Sequence, residues 1–198
     1  MMVKNDSIQN IAASHFSGLR LLLEQIDLKA VERVFRLLRN ARDNKATIFI
    51  AGNGGSAATA SHWVNDLGKA TKRSGRAPMR VIGLSDNTSW LTALANDEGY
   101  DRGFAGQMEN FAEPGDVLIV LSASGNSPNL IKAVELAKSR GMTTIGLLGF
   151  DGGKLKDIVD EVIWVESEKG TYELVEDAHS VLCHAITKSL VADRAEKG

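Results

Sequence analysis

A histidine and an aspartate four residues apart are the first candidates for chemistry. His62 and Asp66 lie in a segment predicted to be helical, residues 57–71, and this spacing places both side chains on one face of the helix. An imidazole and a carboxylate on one face could bind a metal ion, or act as an acid and a base on one substrate. An ordinary surface pair has the same spacing, so the two residues alone leave both interpretations open.

A second group of ionisable residues lies on a predicted helix that closes the sequence. Its members are Glu176, Asp177, His179 and His184. Most ionisable residues on a helix are there because they face solvent or pack against neighbours. The spacing of these four does not show which of them are chemically active. Identifying the chemically active members therefore needs information from elsewhere in the sequence.

A glycine-rich turn precedes the helix that carries His62. Residues 49–56 run from an apolar strand through Gly52, Gly54 and Gly55, which lack a Cβ and let an anion approach the backbone N–H groups closely. Ser56 is predicted to be the N-cap of the following helix, whose free N–H groups and dipole favour an anion. The turn matches neither the dinucleotide-binding glycine motif nor the lysine-bearing phosphate loop. A tight turn without a ligand is therefore an alternative.

A second turn of the same kind follows residues 117–121. It places Ser122, Ser124 and Ser127 before a helix that begins with Pro128, a residue suited to the first helical position. The three hydroxyls can donate to phosphate oxygens without adding charge. Because the turn has no lysine and no metal-binding carboxylate pattern, it favours a phosphate monoester of a small molecule over a nucleoside triphosphate. Two such turns can converge on one phosphate.

The sequence resembles the sugar isomerase (SIS) domain proteins, and most closely the bacterial phosphoheptose isomerases, over nearly its whole length. The resemblance is carried by both turns, by Asn96-Asp97, by the turn at residues 149–155 and by the closing helix with His179 and His184. It implies an enzyme that interconverts the aldose and ketose forms of a phosphorylated sugar through an enediol. It also implies one zinc per site and a homotetramer with active sites at the subunit interfaces.

The resemblance also assigns residues to roles. The expected substrate contacts are Asn53, Gly54, Gly55, Ser56, Asn96, Asp97, Ser122, Ala123, Ser124, Ser127 and Glu176. The expected metal ligands are His62, Asp66, Glu176 and His184, and the expected proton-transfer residues are Asp66 and His184.

Three of these positions depart from the phosphoheptose isomerase pattern. Asp66 replaces a glutamate, Glu176 replaces a glutamine and Ala123 replaces a threonine. A catalytic group misplaced by about 1 Å can cost on the order of 100-fold in rate, so Asp66 leaves the exact sugar open. The second carboxylate would make a zinc site formally neutral, which favours tighter metal binding and weaker Lewis acidity. Since both histidines are kept, we interpret the departures as an altered sugar rather than a lost site.

The spacing on the closing helix restricts how such a metal site can form. Glu176 and His184 are eight residues apart, which on a regular helix means about 12 Å along the axis and about 80° of rotation. With ligand bonds of about 2 Å, one zinc cannot readily be reached by both from a straight helix. Either the helix begins late or bends near Glu176, or two copies of the chain share the site.

A function of another class is a non-catalytic phosphosugar-binding or protein-interaction module, as in the family member that associates with the replication initiator. That protein lacks a histidine matching His184, and we therefore favour the enzyme.

The elements that position these residues follow an alternating pattern. Apolar strand candidates end at the first turn and recur at residues 80–85, 116–121, 143–148 and 161–165, with helical patterns between them. Alternation of this kind predicts an α/β fold, a doubly wound parallel sheet of five strands with helices on both faces. Ligands bind such sheets beyond the carboxyl ends of the strands, where both turns lie. Two amphipathic helices precede the first strand, and a long helix ends the fold.

Composition excludes several classes of protein. The 198 residues are 43% apolar, which suits one domain with a buried core. The net charge of −2 does not favour binding to the phosphate backbone of a nucleic acid. We expect residues 1–198 to form one SIS domain, with residues 1–44 used in packing and oligomerisation. The apolar runs are too short to cross a membrane, and the N-terminus lacks a signal-peptide pattern, so we expect a cytoplasmic protein. Cys183 is the only cysteine and is expected to be a small buried residue.

Overall fold

Five parallel strands form the sheet at the centre of the fold. The computed structural model describes residues 7–74 and 76–193. The strands are β1 (Thr47–Gly52), β2 (Arg80–Gly83), β3 (Val117–Ser122), β4 (Thr143–Leu148) and β5 (Glu161–Trp164). Their order across the sheet is β2-β1-β3-β4-β5, and every neighbouring pair is parallel. All five strands predicted from the sequence are present, each within one or two residues of its expected bounds.

Eight α-helices are present in the described part of the chain. They are α1 (Ile8–Glu24), α2 (Leu28–Asp43), α3 (Gly55–Lys69), α4 (Thr88–Asp97), α5 (Ala105–Met108), α6 (Pro128–Ser139), α7 (Gly153–Ile158) and α8 (Tyr172–Ala192). The first two precede the sheet, and α8 closes the fold. None of the described helices is long and apolar enough to cross a bilayer.

The sheet buries side chains on both of its faces. On β1, Ile48 and Ile50 join the apolar core that includes residues of α2, α3 and α8, whereas Phe49 and Ala51 join the core that includes residues of α5 and α6. Successive residues of a strand point to opposite faces, so a fully buried apolar strand needs helices on both sides. The prediction of a doubly wound α/β sheet is confirmed.

The two N-terminal helices differ in how they pack. On α2, Val34 and Leu38 are completely buried in the core. No residue of α1 is buried within the described chain, and Ile8, Ile11 and Phe16 are mostly exposed. An apolar face that remains exposed on a helix favours a further partner surface. The use of this segment in oligomerisation stays a prediction.

The start of α3 differs from the sequence prediction. Ser56 was expected to be the N-cap, but the helix begins at Gly55 with Gly54 as its N-cap. Gly54 has a φ of 54°, a left-handed conformation that glycine adopts without strain, and it turns the chain into the helix two residues early. The prediction for Ser56 is therefore wrong in this respect. Ser56 lies inside the first turn, where it is buried.

Candidate active site

Helices α3 and α8 lie side by side and run in the same direction. Their contacts advance together along both helices: Glu176 lies against Gly55, Thr59 Oγ1 is 3.5 Å from Ser180 Oγ, and His62 Nε2 is 2.9 Å from His184 Nε2. One residue further on α3 and three further on α8, the Trp63 indole N–H donates to Thr187 Oγ1 at 3.2 Å. The polar residues of the two helices therefore meet along one seam.

Three of the four predicted metal ligands come together on this seam. Besides the contact between the two histidines, Asp66 Oδ2 lies 3.5 Å from His62 Nε2 and 3.8 Å from His184 Nε2. Both imidazoles are about half exposed, whereas the Asp66 side chain is 20% exposed. We call these three residues the triad. One chain supplies all of them.

The donor atoms of the triad fit a zinc ion. They lie within 4.8 Å of one another. Tetrahedral zinc with ligand bonds of about 2 Å places its ligand atoms about 3.3 Å apart, which is close to the distances between the triad atoms. Small rotations of the two imidazoles would lengthen the distance between their Nε2 atoms by a few tenths of an ångström. Two imidazole nitrogens facing each other beside a carboxylate are also an arrangement that can accept and return a proton.

The two predicted turns meet at the other end of the seam. They enclose a cavity of about 120 Å³ at the carboxyl ends of β1 and β3. Its lining residues are Asn53, Ser56, Leu121, Ser122, Ala123, Ser124, Ser127, Leu130, Tyr172 and Glu176. We call this cavity the cradle. Glu176 and six other expected substrate-contact residues line it, and their contact with a substrate stays a prediction.

Backbone geometry shapes the cradle. Ser122 Oγ accepts a hydrogen bond from the Gly125 N–H at 2.9 Å, which holds the second turn in a tight loop. Gly125 has a φ of 63°, and a Cβ there would lie 1.9 Å from the Gly152 carbonyl oxygen. Only glycine fits this position. Ser127 is the N-cap of α6 but makes no side-chain cap bond, which leaves its hydroxyl for a ligand.

Glu176 lies in the cradle rather than in the triad. A Cβ on Gly55 would lie 2.2 Å from Glu176 Oε2, so the carboxylate packs directly against the first turn of α3. Burial raises the pKa of Glu176, and the neighbouring Glu173 and Asp177 raise it further.

The described α8 is one continuous helix from Tyr172, so a helix that begins late is excluded. Within one chain, the structure does not bring the predicted fourth ligand to the other three.

Asn96 and Asp97 also lie apart from the cradle. They form the last turn of α4, both are exposed, and Asn96 Nδ2 donates to Asp97 Oδ1 at 2.7 Å. Neither residue lines the cradle in this chain.

Two further residues of α8, His179 and Cys183, are buried, whereas Asp177 is exposed and contacts His15. His179 is buried, and burial lowers its pKa to about 4 although the Leu148 backbone raises it slightly. It is therefore neutral near pH 7. Cys183 is free and buried as expected, and burial raises the pKa of its thiol.

Sequence reasoning missed two residues that hold Asn53 in place. Asn129 is 1% exposed and pairs with Asn53, and the Tyr100 hydroxyl donates to Asn53 Oδ1 at 2.9 Å. The position of Asn129 directly after Ser127-Pro128, in the first turn of α6, was the available signal.

The fold is that of a known class of proteins. The SIS domain family matches residues 15–149, well over half of the chain, and the chain belongs to that family. The family match ends before α8. The similarity of the closing helix to known proteins is therefore judged from individual relatives.

Two such relatives and one solved structure share the name phosphoheptose isomerase. The chain is 37% identical to the phosphoheptose isomerase of Helicobacter pylori strain P12 over 193 residues, 98% of each chain. It is 44% identical to the phosphoheptose isomerase of Nitratiruptor over 146 residues, 74% of this chain and 76% of the relative. The structure of phosphoheptose isomerase from Neisseria gonorrhoeae superposes with a TM-score of 0.86 at 31% identity, covering 94% of this chain and 100% of the other.

Proposed function

We propose that the protein interconverts the aldose and ketose forms of a phosphorylated sugar, with sedoheptulose 7-phosphate as the first candidate substrate. The observation that carries the proposal is the pairing of an anion-sized cradle with a proton-transfer triad on one helix seam. Glu176 at the cradle and His184 in the triad are eight residues apart, about 12 Å along α8. This separation suits a sugar whose reacting carbons lie at the opposite end from its phosphate.

In the proposed reaction, Asp66 and His184 move one proton between adjacent carbons. A base takes the proton from C1 of the ketose, the C–H electron pair forms the enediol double bond, and the carbonyl oxygen at C2 gains a proton. Return of a proton to C2 and loss of the O1 proton give the aldose. Acid–base catalysis of this kind contributes roughly 10²–10⁴-fold, so orientation by the bound phosphate must supply much of the remaining acceleration.

We also propose that His62, Asp66 and His184 hold a zinc ion. The donor set and its spacing support this proposal. When bound, zinc would act as a Lewis acid that polarises substrate oxygens. We propose the cytoplasm as the location, because the one cysteine is a free thiol, as is usual for proteins in reducing compartments.

The non-catalytic binding module is not favoured. The curated relatives at 37–44% identity are named as isomerases, and this chain keeps His184 beside His62 and Asp66. A panel of pentose, hexose and heptose phosphates tests the proposed activity. We expect the heptose phosphate to be converted fastest, with product detected by chromatography, and equal or absent turnover across the panel would reject the substrate assignment.

Removal of two hydroxyls from the cradle should weaken phosphate binding. We expect Ser122→Ala with Ser124→Ala to raise the dissociation constant for inorganic phosphate about 100-fold or more, because each of the two hydrogen bonds to a charged group contributes about 1.5–3 kcal/mol. Isothermal titration measures the constant. Ser139→Ala is the matched control, since that hydroxyl binds only the Leu136 carbonyl oxygen of its own helix. Unchanged affinity in the double variant would refute the cradle.

We further propose that residues 1–198 act as one SIS domain that assembles as a homotetramer, with residues 1–44 contributing to assembly. The exposed Ile8, Ile11 and Phe16 on α1 support this. Asn96 and Asp97 lie away from the cradle of their own chain, so a second copy is the source we propose for these contacts.

Complementation tests the shared site. We expect a mixture of Asp97→Ala and His184→Ala chains, dissociated mildly and reassembled, to regain activity, because some sites would then contain neither change. A mixture of His62→Ala and His184→Ala chains is the control and should stay inactive, since one chain supplies both residues. A protein that sediments as a fully active monomer would exclude the shared site.

A further inference from the structure

A pair of side-chain amides connects the two turns of the cradle. Asn53 Nδ2 donates to Asn129 Oδ1, and Asn129 Nδ2 donates to Asn53 Oδ1, both at 2.9 Å. Asn129 is 1% exposed, so this pair is shielded from water on one side. Hydrogen bonds in such surroundings are strong, and leaving a member unpaired is costly.

The surrounding donors determine which way both amides point. The Leu130 N–H can only donate, and it lies 3.0 Å from Asn129 Oδ1. This bond fixes the oxygen and the nitrogen of Asn129, and the reciprocal pair then fixes those of Asn53. The Tyr100 hydroxyl donates to the same Asn53 oxygen at 2.9 Å, which agrees with this orientation.

Asn53 is left with one unused donor. Its oxygen accepts two hydrogen bonds, whereas the described chain accepts only one of the two N–H groups of its amide nitrogen. Asn53 lines the cradle together with Ser122 and Ser124. A fixed amide donor next to serine hydroxyls suits an oxyanion, because it needs no reorganisation when the anion binds.

We infer that Asn129 is a positioning residue for the anion site: it fixes the Asn53 amide so that an N–H group, and not the oxygen, faces the phosphate of the ligand. Tyr100 supports the same orientation from the other side. The inference rests on the proposed binding of a phosphate ester but not on turnover, and it concerns two residues that touch no substrate themselves.

Phosphate titration of Asn129→Leu tests this inference. We expect the dissociation constant for inorganic phosphate to rise about 10-fold or more, and KM for the sugar phosphate to rise with little change in kcat, because the lost interaction is uniform binding. Gln107→Leu is the matched control: that amide is also buried and also makes two hydrogen bonds, to the carbonyls of Leu84 and Gly103. It should lose stability while keeping phosphate affinity.

A second variant covers the case in which Asn129→Leu does not fold. Tyr100 is 57% exposed, so Tyr100→Phe should fold normally and weaken phosphate binding about 2- to 10-fold through loss of one neutral hydrogen bond. Wild-type affinity in every folded variant, an equal loss in Gln107→Leu, or no phosphate binding by the wild-type protein would each overturn the inference. A wild-type protein that binds phosphate but converts no sugar would refute the proposed function alone.

Discussion

Replacement of His184 by alanine should lower kcat about 10²–10⁴-fold, the range that general acid–base catalysis contributes. His184 Nε2 lies 2.9 Å from His62 Nε2 and 3.8 Å from Asp66 Oδ2, so the change removes a proton carrier and a zinc donor together. The cradle is at the other end of the seam and keeps all its lining residues. Phosphate affinity should therefore stay close to the wild-type value while zinc content falls.

His15→Ala is the control for this experiment. His15 is also partly exposed and also contacts a carboxylate, Asp177 Oδ2 at 2.7 Å, but it lies on α1 outside the triad. Its loss should leave kcat and zinc content near their wild-type values. If steady-state kinetics gave similar kcat values for the two variants, the triad would have no special role.

Glu176→Gln should tighten phosphate binding about tenfold at low salt. The Glu176 carboxylate packs against the first turn of α3 inside the cradle, and within the described chain no lysine or arginine forms a salt bridge with it. Its negative charge therefore opposes an incoming anion, and the attraction of the helix N-terminus is partly cancelled. Because salt screens this repulsion, the difference should shrink as ionic strength rises.

The measurement is a phosphate titration of chelator-treated protein at two salt concentrations. Glu173→Gln removes the same charge one turn earlier on α8, outside the cradle, and should change affinity much less. Weaker binding by Glu176→Gln would show that the carboxylate contributes to ligand binding instead of opposing it.

Local sequence patterns were sufficient to predict the sheet and the two turns. Residues 117–121 are continuously apolar and end in small hydroxyl residues, a pattern typical of a buried parallel strand followed by a turn into a helix. The pairing of His62 with Asp66 followed from helix periodicity. These features depend on residues that are close together in the sequence, so they can be predicted without knowledge of the fold.

The rest of the site depends on packing that local patterns do not encode. His184 is 122 residues from His62, and their contact exists because α3 and α8 pack in the same direction with one particular register. The same register places Glu176 beside Gly55, eight residues from the triad. Asn129 was missed because its role depends on a partner 76 residues away. The early start of α3 was missed because the left-handed conformation of Gly54 outweighed the capping preference of Ser56.

The most direct test of the central claim is proton exchange with solvent. The zinc-loaded protein is incubated with sedoheptulose 7-phosphate in deuterated water, and the sugars are examined by NMR. Passage through an enediol predicts deuterium at C1 of the recovered ketose and at C2 of the aldose product, and its loss in Asp66→Asn and His184→Ala. No deuterium in any pentose, hexose or heptose phosphate, from wild-type protein that binds phosphate, would contradict the account.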